Sequence, residues 1–206
     1  MHLASLIIAV STLAVPDSGR KAEDPGVWLA ELPAGFTPQP AQVSIEVHGC
    51  TFSAGYAVEA PPFPPLNHVW LKKEGCDNGG YALLGTSFSI PSILLDGKKQ
   101  QGVVATFTFK DSPSGAATVR AAVVGVDFET GEITHSSVLA AMPPLGRTGV
   151  VEPTAVDLKG NGTVVVRGRK TGLLGDVGEG DQFIAIFDKF FKNPTFNPAP
   201  SFVIAF

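Results

Sequence analysis

Short runs of strand-forming residues, separated by glycine and proline, recur along this chain of 206 residues and favour an all-β fold. Val43–Val47 alternates apolar and polar residues as a half-buried strand does, and the run 102–110 alternates threonine with phenylalanine still more regularly. Such runs at short spacing are typical of a β-sandwich or a barrel. We predict an antiparallel β-sandwich, Ig-like or jelly-roll-like, with at most one short helix near 181–192.

Two hairpins stand out in the second half of the chain, one over 118–141 and one over 154–167. The turn of the second hairpin contains the N-glycosylation sequon Asn161-Gly-Thr163. Earlier in the chain, a short strand over 93–95 is predicted to end in a turn at Asp96-Gly97. Phenylalanines at helical spacing over 183–191 leave helix and strand both open, because a strand through Phe187 fits equally well.

Both cysteines of the chain lie in the segment from Val43 to Ile90, which also includes a proline-rich crossing over 60–66. A bridge between Cys50 and Cys76 would close a loop of roughly 26 residues and stabilise the fold by about 3.5 kcal/mol in the chain-entropy model. Two buried free thiols, or a metal or redox site, are the alternatives. We predict the disulfide.

The composition indicates a folded protein without affinity for nucleic acid. Hydrophobic residues make up 44% of the chain, charged residues only 17%, and the net charge is −4. A basic surface, which nucleic acid would require, is therefore not expected.

The N-terminal run 3–15 is apolar and has two interpretations. It has the length of the apolar part of a signal peptide, but no lysine or arginine precedes it, so a retained strand remains the alternative. The run is too short to cross a membrane, and we expect no membrane span elsewhere. We predict a leader over 1–16, a linker over 17–26 and one β-sandwich domain over 27–206.

Metal and cofactor sites are weakly indicated. His48, Cys50, His68 and Cys76 are residue types that bind zinc, but their spacing matches no standard zinc motif. A glycine-rich stretch could bring three acidic side chains together as a weak calcium site, and we expect no other cofactor. These candidates are Asp176, Glu179 and Asp181.

Both ends of the chain carry apolar, strand-forming residues with no charge among them. Strands of this kind can pair with a neighbouring subunit, although they can also pair within their own sheet. We predict them as assembly strands, with other protein subunits or copies of the same chain as partners. The residues concerned are Leu6, Ile7, Ile8, Phe202, Val203, Ile204 and Phe206.

The sequence selects no catalytic constellation, and we expect a non-catalytic extracellular or periplasmic protein that serves as a structural or interaction subunit of a larger assembly. The first alternative is a module that binds carbohydrate or another small molecule, with Trp28, Trp70 and Tyr81 as stacking faces. The second alternative is a metal-dependent enzyme.

Overall fold

The structure is a computed structural model that describes residues 7–9, 28–60, 63–113, 119–141, 149–171, 181–191 and 202–205. These residues contain fourteen strands and no helix. The strands are β1 (Ile7–Ala9), β2 (Phe36–Pro38), β3 (Val43–Val47), β4 (Cys50–Glu59), β5 (Leu66–Glu74), β6 (Gly80–Ser87), β7 (Ile93–Lys98), β8 (Gly102–Phe109), β9 (Arg120–Val126), β10 (Ile133–Ala141), β11 (Val150–Leu158), β12 (Val164–Thr171), β13 (Asp181–Phe187) and β14 (Phe202–Ala205).

The strands form three antiparallel sheets. The central sheet has the order β1-β10-β9-β8-β7. The disulfide sheet has the order β2-β4-β5-β6, with β3 also paired to β4, and the C-terminal sheet has the order β11-β12-β13-β14. The predicted antiparallel, all-β sandwich is confirmed, and the third sheet is a feature that the sequence did not indicate.

The central sheet is covered on both faces, which makes the molecule a three-layered sandwich with two cores. Successive residues of a strand point to opposite faces, so β8 contributes Val103 to one core and Val104 to the other. All eight residues of β8 are consequently buried. In the first core, Phe52, Val69 and Leu71 of the disulfide sheet pack against Val103, Phe107 and Val124. In the second core, Val166, Phe183 and Phe187 of the C-terminal sheet pack against Val104, Val123 and Leu139.

Both predicted hairpins are confirmed, as β9–β10 and β11–β12. The segment with two interpretations is a strand at 181–187, because β13 pairs with β12 on one side and β14 on the other. The predicted turn at Asp96-Gly97 is wrong. Both residues lie inside β7 and pair with β8, and the chain turns instead at 98–101, where the Gln101 N–H donates to the Lys98 carbonyl over 2.9 Å.

The longest strand, β4, was absent from the prediction. Its small residues, Ser53, Ala54 and Gly55 in succession, give a weak strand signal. The structure explains the glycine, since a Cβ at Gly55 would lie 2.5 Å from a ring carbon of Trp70 on the neighbouring strand. The contact with Trp70 therefore requires glycine at this position.

At the N-terminal end, residues 7–9 form β1 at the edge of the central sheet, where Ile7 pairs with Ala141. Residues 1–6 and 10–27 lie outside the described residues. The division of the chain into a leader, a linker and one domain remains a prediction.

Candidate functional site

The two cysteines form the predicted disulfide. Cys50, at the start of β4, bonds to Cys76, in the turn between β5 and β6, with an S–S distance of 2.10 Å and a Cα–Cα distance of 5.3 Å. Cys50 is buried in the first core and Cys76 packs against it. Because both sulfurs are bonded to each other, neither is a free thiol or a ligand for metal.

The histidines of the described residues lie apart from one another. His48 is exposed in the turn between β3 and β4, with a φ of 54°. The ring of His68 stacks on Phe36 with centroids 4.0 Å apart, and its Nε2 lies 2.7 Å from a Glu59 carboxylate oxygen. His135 is buried against Phe190. No group of three or more potential metal ligands occurs among the described residues.

The calcium candidates fall largely outside the described part of the chain. Asp176 and Glu179 lie in the segment 172–180, which is not among the described residues. Asp181 is the first residue of β13, where its backbone pairs with Lys170. The calcium site therefore stays a prediction.

Both tryptophans proposed as stacking faces are buried. Trp28 is 7% exposed, its Nε1 donates to the Glu129 carbonyl over 3.1 Å, and its ring lies directly against the backbone of Gly131. Trp70 is 5% exposed and lies over Gly55. Trp28 thus packs against the β9–β10 turn of the central sheet, whereas Trp70 packs against the neighbouring strand of the disulfide sheet.

Tyr81, the third proposed stacking residue, is half-buried. The edge of the Trp70 ring lies against it, and the Lys72 ammonium is 5.2 Å from its ring centroid. The hydrogen bond from Lys72 to Glu74 raises the pKa of that lysine above its usual value. A role of Tyr81 in stacking against a ligand stays a prediction.

The predicted assembly strands lie at the edges of two sheets. Ile7 and Ile8 belong to β1, which pairs with β10. Phe202, Val203 and Ile204 belong to β14, which pairs with β13. Within the described residues each of these strands has one neighbour in its sheet and so lies at its edge. Leu6 and Phe206 lie outside the described residues.

A buried lysine, which the sequence did not single out, ties a turn to the first core. Lys73 is 1% exposed, and its Nζ donates to the Phe128 carbonyl over 3.0 Å. The same ammonium lies 4.7 Å from the centroid of the Phe128 ring. A carbonyl and an aromatic face stabilise a buried cation, so this amine holds the turn that follows β9 against the disulfide sheet.

A cleft opens where hairpin turns from all three sheets meet, and we call it the hairpin cleft. Its open volume is about 320 Å³, at the lower end of the roughly 300–1,000 Å³ of ligand pockets. The disulfide sheet contributes the β3–β4 turn, the central sheet the β7–β8 turn and the C-terminal sheet the β11–β12 turn. The lining residues are His48, Lys98, Lys99, Gln100, Gln101 and Gly160.

Side chains fix the turns around the hairpin cleft. The Gln101 amide donates to the Gly160 carbonyl over 2.5 Å, which joins the β7–β8 turn to the β11–β12 turn. The sequon lies on the same turn, where the exposed Asn161 accepts a hydrogen bond from the Thr163 N–H over 3.1 Å. The hairpin predicted over 154–167 turns at 159–162, where the Gly162 N–H donates to the Lys159 carbonyl over 3.0 Å.

Asp96 connects the central sheet to the C-terminal sheet behind the hairpin cleft. One carboxylate oxygen accepts from the Leu158 N–H over 2.6 Å and the other from the Gly97 N–H over 2.8 Å. The Asp96 carboxylate thus joins β7 to β11. Each of these strands keeps its pairing within its own sheet. This role explains why the Asp-Gly pair is not a turn.

Replacing this carboxylate (Asp96→Ala) is expected to lower the free energy of unfolding by about 2 kcal/mol, since a hydrogen bond to a charged group contributes roughly 1.5–3 kcal/mol. Urea denaturation measures the loss. The matched control is Asp77→Ala, at an exposed aspartate in the β5–β6 turn, which should change stability by less than about 0.5 kcal/mol. Equal effects of the two substitutions would contradict the role given to Asp96.

Sequence reasoning found only parts of the hairpin cleft. His48 was considered as a metal-ligand type, and the β11–β12 turn was predicted as a turn without a binding role. The run Lys98-Lys99-Gln100-Gln101 is a signal that could have identified a polar, cationic turn. This turn lies beside His48, about 50 positions earlier, and Gly160, about 60 positions later, because three sheets pack together.

The part of the chain that the structure describes has no helix with the length and apolar character needed to span a membrane. Comparison with models of known protein families, with curated proteins and with solved structures finds no match to this chain.

Proposed function

We propose that this protein is a non-catalytic, secreted or periplasmic subunit that joins other protein subunits, copies of itself included, through its terminal strands. The observation that carries this proposal is the placement of β1 and β14 at the outer edges of two different sheets. An edge strand has unpaired N–H and C=O groups along one side, and these groups can pair with a strand of another chain.

The composition of the two terminal strands supports this function. β1 is Ile-Ile-Ala and β14 is Phe-Val-Ile-Ala, so neither strand has a charge or a proline. Natural edge strands that avoid association are usually protected by such residues, lysine above all. Two unprotected, apolar edges on one molecule favour association.

Their pairing supports the same function. Within the described residues, β1 pairs with β10 alone and β14 with β13 alone. A strand held by one neighbour breaks only one ladder of hydrogen bonds when it is exchanged with an identical chain. Two such edges per chain allow more than a closed pair of subunits.

The disulfide supports the proposed compartment. Structural disulfides persist in oxidising environments such as the periplasm or the extracellular space. The Cys50–Cys76 bond fastens the start of β4 to the β5–β6 turn at the margin of the first core. This bond supports an assembly outside the cytoplasm.

Lysine in both terminal strands (Ile8→Lys with Val203→Lys) is expected to raise the dissociation constant of self-association at least about tenfold, because charges on edge strands oppose pairing between chains. Light scattering coupled to size-exclusion chromatography, over a dilution series of the full oxidised chain, measures the mass. The matched control is Ile90→Lys, at an isoleucine that is 68% exposed outside the strands.

The control variant should associate as the unchanged chain does. A full chain that stays monomeric at its highest soluble concentration would overturn self-assembly. An oligomer that the double substitution leaves intact would overturn the role of β1 and β14, even if the protein does associate.

A further inference from the structure

The walls of the hairpin cleft carry the positive charge of Lys98 and Lys99. Among the described residues, no carboxylate forms an ion pair with Lys98, Lys99 or His48, whereas Lys159 on the adjacent turn is paired with Asp157. The chain as a whole has a net charge of −4, so this local excess of cations is opposite in sign to the net charge of the protein. A concave, cationic surface on an acidic protein indicates a site for an anion.

We propose that the hairpin cleft binds an acidic saccharide. The ammonium groups of Lys98 and Lys99 hold its carboxylates, and the Gln100 amide and the His48 ring hydrogen-bond its hydroxyls. Lys98 and Lys99 are consecutive and exposed, which presents two cations to neighbouring acidic groups of a chain-like ligand. This inference goes beyond the assembly proposed above and does not depend on it.

The chemistry of the lining favours a saccharide over other polyanions. An uronic acid unit combines a carboxylate with hydroxyl groups, and the cleft combines cations with neutral donors and acceptors. A sugar ring is also more rigid than an acidic peptide, so less conformational entropy is lost when it binds to an open site. The disulfide favours a compartment outside the cytoplasm, in line with the proposed function.

The turns of the hairpin cleft are held in position before a ligand arrives. The Gln101 amide joins two of them through the Gly160 carbonyl, and Asp96 fastens the strands behind them. The third turn, with His48 and Gly49 both at positive φ, is a tight two-residue connection closed by the Val47–Cys50 pair. Little ordering of the backbone is then needed on binding.

Titration with trigalacturonate, which has a carboxylate on each ring, tests the proposal. Backbone amide NMR signals of the ¹⁵N-labelled, disulfide-oxidised full chain are followed at low salt. We expect saturable shifts at residues 48, 98–101 and 160, and weaker binding as salt is added, because screening reduces the attraction between charges. Maltotriose, of equal length and without charge, should produce no saturable shift.

The double variant Lys98→Gln/Lys99→Gln is expected to weaken trigalacturonate binding at least about tenfold, because charge-assisted hydrogen bonds are the strongest contacts of the site. The matched control, Lys110→Gln, changes a lysine that follows β8 at its other end and should bind as the unchanged chain does. Both lysines of the double variant are exposed, so an unchanged melting temperature shows that the fold is retained.

Three outcomes would overturn the proposal. The first is no saturable shift with trigalacturonate, and the second is equal binding by the double variant. In the third, a triglutamate peptide, with the same number of side-chain carboxylates, binds as tightly as trigalacturonate. That result would assign the cleft to an acidic protein segment. None of these outcomes bears on association through β1 and β14, which is measured separately by mass.

Discussion

Removing the disulfide (Cys50→Ala with Cys76→Ala) is expected to lower the free energy of unfolding by about 3.5 kcal/mol, the value of the chain-entropy model for a loop of this size. The two cysteines are separated by 26 residues, and the loop between them contains β4 and β5. Without the bond, the unfolded chain gains freedom that the folded chain does not. The midpoint of urea denaturation, compared between oxidised protein and variant, measures the change.

The stability of the reduced wild-type protein separates the effect of the disulfide bond from the effect of the packing of its two sulfur atoms. Cys50 is 3% exposed in the first core, so alanine removes buried sulfur contacts as well as the bond. Reduction alone keeps both sulfurs, and we expect it to account for most of the loss. A reduced protein that unfolds at the same urea concentration as the oxidised one would contradict the stabilising role of the bond.

The elements predicted correctly from the sequence are those whose signal is local. The hairpins β9–β10 and β11–β12 have β-branched strands on both sides of a polar turn, and a turn of this kind needs only neighbouring residues. The strand β3 followed from its alternation. The disulfide followed from the presence and spacing of two cysteines, and the structure places the two Cα atoms 5.3 Å apart, within bonding reach.

The third sheet could not be predicted, because nothing local shows that both faces of β8 are covered. Alternation of Thr106 and Thr108 with Phe107 and Phe109 suggested a strand with one polar face. In the structure the threonines are buried on the side of the second core. The Thr108 hydroxyl accepts from the Ser92 N–H over 2.8 Å, whereas the Thr106 hydroxyl has no hydrogen-bond partner among the described residues. Both threonines are buried all the same, so threonine in an alternating run does not mark an exposed face.

The edge placement of the terminal strands was also beyond the sequence. Apolar runs at 6–10 and 202–206 are compatible with the middle of a sheet, an edge or an exchanged strand. Within the described residues, the sheet order places β1 and β14 at edges. A central strand has a second neighbouring strand and an edge strand does not. That difference depends on the rest of the fold and not on the residues of the strand itself.

The three-layered arrangement predicts that the two cores unfold together. Phe52→Ala in the first core and Phe187→Ala in the second are each expected to lower the free energy of unfolding by about 3–5 kcal/mol. Both side chains are fully buried. The matched control is Phe63→Ala, because Phe63 is 96% exposed and the same substitution there should cost less than about 0.5 kcal/mol.

Two spectroscopic probes then test whether the central sheet couples the cores. Trp28 belongs to the first core and Trp70 to the disulfide sheet, so tryptophan fluorescence reports unfolding on that side of the molecule. Far-ultraviolet circular dichroism reports strands in all three sheets. Because β8 and β9 contribute residues to both cores, Phe187→Ala should shift the fluorescence midpoint as far as the dichroism midpoint. A fluorescence transition that Phe187→Ala leaves in place would mean that the C-terminal sheet unfolds as a separate unit.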